Sequence, residues 1–546
     1  MSLFTPSRLM PGRQRPLLHR TSVFHVLVAE TYVPQTMPGM LKTADLLALY
    51  VLAVFWISNV TGLVTGGAAA LTYLGLVTLA FFVPCALVTA QLGCLFPIEG
   101  SIYAWTEKAL GRYWSFFVGL CAWLPGVLSL VSAADVVVNC LQTLNPGWLV
   151  PAWQQGLVIL AVILFAGVLA CQPARLVQNL LNAAAIGIAL TVLLIAAAGL
   201  FWLLSGHASA TLLTAPSAWA IGLNPQTGNS GLLGTVTLAL LGATMPLTMC
   251  GELAPALAAN SKARRTAITR HLLWGSLIVV VGYLIVTLAL LLIAGPQAAV
   301  NAPNPIALLI GVVDTVLGKR AGDAAMLGLL LFFVLVAVFE NVISARLLLV
   351  AGIEGRLPRW VTRLNRWRVP AHALLVQTGI ALVYTLFLFF VAPLFTALGN
   401  PANLTVEAYT VTAASLLLVW AVSFLFPFVD VLVLSLRFPA LFVRQRLVPL
   451  PVLWVGSCSG ILVCLATIGV TLLSSWLPML LDESLWWKIV GGLTLMWLVV
   501  CSIGSMLATS EAHWEQWQHA GTQSADAVSA PGQHAKLPVH SMPPHF

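Results

Sequence analysis

The sequence predicts an all-α integral membrane protein with twelve transmembrane helices. Three observations carry that expectation. Of the 546 residues, 60% are hydrophobic and 8% are charged, whereas a soluble domain carries roughly 25% charged residues. A chain this apolar needs lipid as its solvent. Twelve apolar runs are long enough to cross hydrocarbon, which takes about 20 helical residues. The basic residues also segregate. Of the 25 Lys and Arg, all but Lys319, Arg320 and Lys488 fall in the two tails or around every second connection. This is the positive-inside pattern, and it puts both termini in the cytoplasm. Adding or removing one run would scramble it.

The elements follow in order. Residues 1–43 form a cytoplasmic N-terminal tail with Arg8, Arg13, Arg15, Arg20 and Lys42. No apolar core precedes residue 44, so no cleavable signal peptide is expected. The membrane domain is residues 44–508. Its apolar runs are 44–66, 70–94, 113–140, 153–171, 178–204, 231–258, 270–294, 323–352, 371–393, 407–436, 449–475 and 484–508. Between the seventh and eighth runs, Pro305 to Leu317 is apolar but too short to span, and suits an interfacial helix over the outer mouth. Residues 509–546 are polar and hold five of the ten His, and are expected to be a disordered cytoplasmic tail.

Composition also excludes. The net charge of +8 is accounted for by topology, so no nucleic-acid partner is expected. The nine cysteines contain no CxxC pair and have no His at ligand spacing, which makes them packing residues and predicts no metal site. There is no Walker motif, so ATP drive is not expected. No His lies deep in a span to build a catalytic constellation, so an enzyme is not expected.

Two runs are interrupted. The first reads Val54-Phe55-Trp56-Ile57-Ser58-Asn59-Val60-Thr61-Gly62, and the sixth Gly242-Ala243-Thr244-Met245-Pro246-Leu247-Thr248, then Gly251-Glu252. Pro246 removes a backbone donor, and Gly242 lets the chain leave the helix. Unwound backbone survives at membrane depth only inside protein or beside a cavity. Paired interruptions in corresponding halves are the best sequence pointer to a transporter's binding site, although each taken alone also fits an ordinary kinked helix.

Three stretches resemble the amino acid–polyamine–organocation transporter superfamily, with the resemblance covering roughly residues 44–475. Pro97-Ile98-Glu99-Gly100-Ser101-Ile102-Tyr103-Ala104-Trp105 resembles the family's Pro-x-x-Gly-Gly-x-Tyr-x-Trp loop, and Gly111, Gly119, Trp123 and Leu124 continue its spacing. Arg346-Leu347-Leu348 followed by Glu354-Gly355-Arg356-Leu357-Pro358 resembles the loop after the eighth span, and Gly242 to Glu252 the unwound sixth span. The spacing of this last stretch is similar to the glutamate/GABA antiporter branch. The resemblance implies a leucine-transporter-like 5+5 inverted repeat with broken helices 1 and 6. Residues 44–204 would be the first repeat, 231–436 the second, and 449–508 two extra helices. One departure stands out. The family's first break is usually glycine-rich, whereas Val54 to Asn59 contains no Gly and includes Trp56. That bears on how a substrate carboxylate is held, and not on the fold.

The expected substrate residues are then Ile57, Ser58, Asn59, Thr61, Trp123, Gly242, Ala243, Thr244, Pro246, Glu340 and Asn341. Intramembrane carboxylates are costly and so mark function by default. Glu340 is suited to bind a substrate ammonium or carry a proton. Asp135, Glu252 and Arg346 join it as gating or coupling residues, with Arg346 or Lys262 as partner to Glu252. Asp430 is expected to pair with Arg437 as a structural contact. The His-rich tail resembles a pH-sensitive plug over the inner mouth. The implied function is secondary transport of amino acids or related amines by alternating access, as symporter or exchanger. Another small solute, or a sensor that binds without carrying, are the alternatives. No cofactor is expected beyond a coupling ion, H+ or Na+. The partners are the small-molecule substrate, an amino acid or amine, and the lipid bilayer. The sequence leaves the oligomeric state open.

Overall fold

The computed structural model describes residues 26–37, 39–221, 231–394, 401–477 and 480–528, with backbone alone for 401–405 and 511–528. In chain order the main helices are α1 (Val28–Thr36), α2 (Thr43–Val54), α3 (Val60–Val64), α4 (Ala69–Leu95), α5 (Ser101–Leu110), α6 (Arg112–Leu144), α7 (Ala152–Ala170) and α8 (Ala174–Leu204). They continue as α9 (Gly231–Ala239), α10 (Ser261–Ile293), α11 (Pro305–Leu317), α12 (Lys319–Ile353), α13 (Ala371–Leu394), α14 (Pro401–Arg437), α15 (Leu450–Leu473) and α16 (Glu483–Val528). Among the described residues, 11 helices are long and apolar enough to cross a membrane, counting Thr43–Val64 as one. They coincide with eleven of the twelve apolar runs. The remaining run, 231–258, folds instead as α9, a turn and a 3-10 segment, Met245–Glu252.

Burial separates core from periphery. In α6 and in Thr43–Val64, 72% of the most apolar stretch is buried within the protein, and in α12 67%, against 22–28% in α7, α15 and α16. The first group therefore builds the interior and the second presents its apolar side chains outward, as lipid-facing helices do. α6 and α12 pack closely because Gly126 faces Ser344: a Cβ on Gly126 would lie 2.0 Å from Ser344 Oγ.

Both predicted breaks are present, and they touch. The first span leaves the helix at Phe55 and Trp56 and resumes as a short 3-10 turn, Ile57–Asn59, before α3. In the sixth, Gly242 adopts φ +106°, and a Cβ there would lie 2.6 Å from the carbonyl oxygen of Ala53. A left-handed turn pressed against backbone requires glycine. Gly242, then, is the residue that breaks this span. Pro246 stands second in the Met245–Glu252 segment, where a helix start lacks a donor partner anyway, so it opens the lower piece and does not kink a continuous one.

Two expectations are corrected, and the tail 1–43 gains structure: from residue 26 onward it carries α1, which packs onto one face of the bundle. Ala29 and Val33 are buried there. The Ala29 amide donates to Glu354 Oε1 at 2.9 Å, and Lys108 pairs with Glu30. Asp430 and Arg437 do not pair with each other. Asp430 accepts from Thr106 Oγ1 at 2.8 Å and Arg437 donates to the Ala109 carbonyl, so both fasten α5. Residues 509–528 continue α16 as helix, where disorder was expected. The stretch after Ser510 has good helix formers and no Gly before Gly521. Of the five tail His, His534, His540 and His545 lie outside the described residues. α11 is present as drawn from the sequence, but it is packed into the protein and not merely laid over it, with Ile306, Leu309 and Val313 fully buried.

Candidate substrate cavity and the closed face

The two breaks leave a cavity of about 930 Å³ between α2–α3, α6, α9, α12 and α14. Its lining includes Trp56, Ser58, Asn59, Thr61, Asp135 and Glu340, and it extends to residues 299–305 and 476–477. Those segments lie on the face away from α1, so the cavity opens on that face. On α6, Ser129, Ser132, Asp135 and Asn139 line it at helical spacing. Ser132 shares a 2.7 Å hydrogen bond with the Tyr409 hydroxyl, which lies in the field of Asp135. Trp56, Tyr409, Trp420 and Trp476 supply aromatic faces. Trp56 is held edge-on to Phe333, ring centroids 5.9 Å apart.

The electrostatics of the lining are one-sided. Two carboxylates face the cavity and none of its lining residues is Lys, Arg or His. Glu340 is 6% exposed and has neither a hydrogen bond nor an ion pair among the described residues. A buried carboxylate without a partner is expensive. The group that would balance it has to arrive from outside.

The expected site residues divide. Ser58, Asn59, Thr61, Asp135 and Glu340 line the cavity; Ile57, Trp123, Gly242, Ala243, Thr244, Pro246 and Asn341 do not. Trp123 Nε1 donates to Gln377 Oε1 at 2.6 Å and Asn341 Nδ2 to Thr378 Oγ1 at 2.8 Å, so both side chains are turned toward α13. Gly242, Ala243 and Thr244 form the turn itself. Sequence reasoning missed Ser129, Ser132 and Asn139, which form a stripe with Asp135 and were legible as polar residues three and four apart in an apolar run. It also missed Tyr283. The Tyr283 hydroxyl accepts from the Trp56 amide at 3.1 Å and lies 3.1–3.3 Å from the carbonyls of Val54, Trp56 and Ala239. One side chain from α10 thus sits against the open backbone of both breaks, accepting from one amide and sharing its single proton among three carbonyls. No local pattern announces it.

Below Glu340 the space narrows to a void of about 10 Å³ bounded by Gly126, Met245, Ile343 and Ser344, room for a single water at most. Beyond it, on the α1 side, three charged side chains meet. Arg346 of α12 pairs with Glu252 and lies 3.9 Å from Glu99 Oε1. Glu99 sits in the connection between α4 and α5, outside the spans, and its Oε2 accepts from the Gly251 amide at 3.0 Å. All three are 2% exposed or less. Burial pushes the Glu99 carboxyl up to about 8, with Arg346 opposing the shift and Glu252 adding to it. Met37 of the α1 connection covers the cluster, its Sδ 3.2 Å from Arg346 Nη1. Backbone closes the rest: the amides of Met40 and Leu41 both donate to the Glu252 carbonyl, at 2.9 and 3.0 Å. Glu354, just past the end of α12, is raised to about 7 by burial, against the opposing hydrogen bond from Ala29.

A multi-span helical protein with two touching helix breaks, a cavity at their level that opens on one face and a closed opposite end is a membrane transporter in architecture. The chain belongs to the amino acid permease family, whose model matches residues 41–506. It is similar to a probable polyamine transporter of Arabidopsis thaliana, 41% identical over 69 residues, 12% of this chain and 14% of that protein. It is also similar to the polyamine transporter PUT1 of Oryza sativa, 33% identical over 98 residues, 17% of this chain and 18% of that protein. An uncharacterized transporter of Legionella pneumophila is 22% identical over 314 residues, 55% of this chain and 62% of the relative. In each case the match spans less than two thirds of the relative.

Proposed function

We propose that the protein is a secondary carrier of small organic amines that works by alternating access. The N-terminal face would be cytoplasmic, as the distribution of Lys and Arg favours. The observation that carries the reading is Glu340, a buried carboxylate that faces the cavity without a partner among the described residues. An ammonium supplies the missing charge, and the aromatic faces around it favour a cation over an anion. The glycine-free first break supports the same choice. The Trp56 amide is already taken by Tyr283, so it is not free to bind a substrate carboxylate in the way half-helix N-termini do.

The spacing of the two carboxylates supports a diamine. Gly126 and Ser344 mark a common level of α6 and α12, which run in opposite directions. From that level, and away from the α1 face, Asp135 lies nine residues along α6 and Glu340 four residues along α12. The difference of five residues is an axial offset of about 7.5 Å, the scale of a short alkyl diamine. The polyamine-transporter names of the plant relatives favour the same class. Thermal melting of the purified protein with alkyl diamines, monoamines and amino acids, followed by liposome flux, tests the reading. Diamines should stabilise most, monoamines less and zwitterionic amino acids least. Equal stabilisation by amino acids, with flux to match, would overturn it.

A further inference from the structure

We propose that Glu99, Glu252 and Arg346 form a proton site: with the α1 face closed, the two carboxylates hold one proton between them, and that face opens as the proton leaves. The inference rests on the reading that this face opens during transport, and not on the identity of the solute.

Two carboxylates and one guanidinium leave one negative charge, and all three groups are buried. An uncompensated buried charge is costly enough that a group takes up a proton to avoid it. The hydrogen bonding agrees. Glu99 Oε1 and Glu252 Oε2 are buried and accept no hydrogen bond among the described residues, and Arg346 Nε donates none. A cluster designed around three charges would satisfy these atoms. One neutral carboxyl removes both the excess charge and the need for further donors.

The location gives the proton a consequence. Glu99 is on the α4–α5 connection, Glu252 ends the lower half of the broken span, and Arg346 is on α12. Separating these elements to open the face must put the carboxylates into water, where their ordinary acidity returns. The proton is thus held tightly in the closed form and weakly in the open one. The closed form is fully favoured below the open-state carboxylate range. That advantage is lost as pH rises toward about 8, the value to which burial raises the Glu99 carboxyl.

The neighbouring groups are few. Cys250, with Arg264 and Cys94 behind it, faces Glu99 from the broken-span side. The α1 side contributes Val33, against Gly251, and the Met37 thioether, neither of which titrates. Glu354 and the Lys108–Glu30 pair fasten the other end of α1.

Hydrogen–deuterium exchange of the full chain in nanodiscs without any solute, corrected for the intrinsic pH dependence of exchange, reads the opening directly. The reporter amides are Met40, Leu41, Gly100 and Gly251, all bonded across the closed face. Their protection should fall by up to tenfold per pH unit between about pH 5 and 8 and level off above. Glu99→Gln keeps an acceptor for Gly251 but cannot ionise, and should flatten the slope. Glu252→Gln is the second variant and should do the same. Glu354→Gln is the control, and should loosen the start of α1 while leaving the slope intact. A wild-type protein with no slope, a slope that survives Glu99→Gln or Glu252→Gln, or one abolished by Glu354→Gln, would each overturn the proposal. Because no solute is present, failure of the amine reading leaves this result unaffected.

Discussion

The cavity and the closed face hold the same chemistry in opposite states. Each contains two carboxylates brought together from different elements. In the cavity, Asp135 and Glu340 have open space between them and no basic side chain in the lining. At the closed face, Glu99 and Glu252 converge on Arg346 with no space left. The difference teaches what a buried acid is for. Where the protein supplies the cation, the acids hold elements together. Where it withholds one, it has left room for a visitor.

The largest effect expected from breaking this comparison is at Arg346. Replacing it with Met keeps the volume and removes the only cation in the cluster. Removing one partner of a buried ion pair costs about 3–5 kcal/mol, so the variant should melt well below wild type. The two acids left behind need protons to stay buried, so the deficit should shrink at pH 5.5 and grow at pH 8. A melting curve lowered equally at both pH values would mean that Arg346 acts by packing alone.

The corresponding change in the cavity is Glu340→Gln, and its effect belongs to binding instead. A hydrogen bond to a charged group is worth about 1.5–3 kcal/mol. Affinity for an amine should fall roughly ten- to hundredfold, while the melting temperature without ligand should hold or rise, because an unpartnered buried charge has been removed. Asp135→Asn sharpens the point. It should weaken a diamine and spare a monoamine, measured as ligand-induced shifts in melting temperature.

How much of this was legible beforehand follows from the range of the forces involved. The eleven long helices were readable because a 20-residue apolar run is a local signal. The two breaks were readable because Gly242 and the polar Ser58-Asn59 step interrupt such runs. Glu340 and Asp135 stood out because charge in lipid is rare. The turning of Trp123 and Asn341 toward Gln377 and Thr378 was not legible, since it depends on which face of one helix meets another. Nor was Asp430 bonding Thr106 and not Arg437, a contact across 324 positions of sequence. The docking of α1 depends on Glu354, again more than 300 residues away.

Tyr283 acts on the cavity side alone, because its hydroxyl lies against the backbone of both breaks. Tyr283→Phe removes the hydroxyl and leaves the Trp56 amide with only its 3.2 Å contact to the Val54 carbonyl. A weakened hydrogen bond at a buried group costs about 1–3 kcal/mol, so stability should fall by up to that amount. An amide held this loosely is also what a carboxylate needs. The variant should therefore gain stabilisation by zwitterionic amino acids relative to amines, and an unchanged ligand ranking would remove Tyr283 from the account of selectivity.

The smallest effect expected is at Trp56, where the contribution is the π face and not a charge. A cation over an aromatic ring is worth about 0.5–2 kcal/mol depending on how dry the site is. Trp56 is partly buried and its ring is held edge-on by Phe333, so its face is fixed before any solute arrives. Trp56→Phe keeps a ring and Trp56→Leu keeps only apolar bulk. If an ammonium meets that face, amine affinity should fall a few-fold in the Phe variant and by roughly tenfold in the Leu variant, with Glu340 intact in both. Both variants lose some packing against Phe333, so the melting temperature without ligand should fall similarly in the two. The split between the variants in binding, set against their agreement in stability, separates the cation–π contribution from the packing one. Equal losses of binding would assign Trp56 to the wall of the cavity and leave the recognition of charge to the carboxylates.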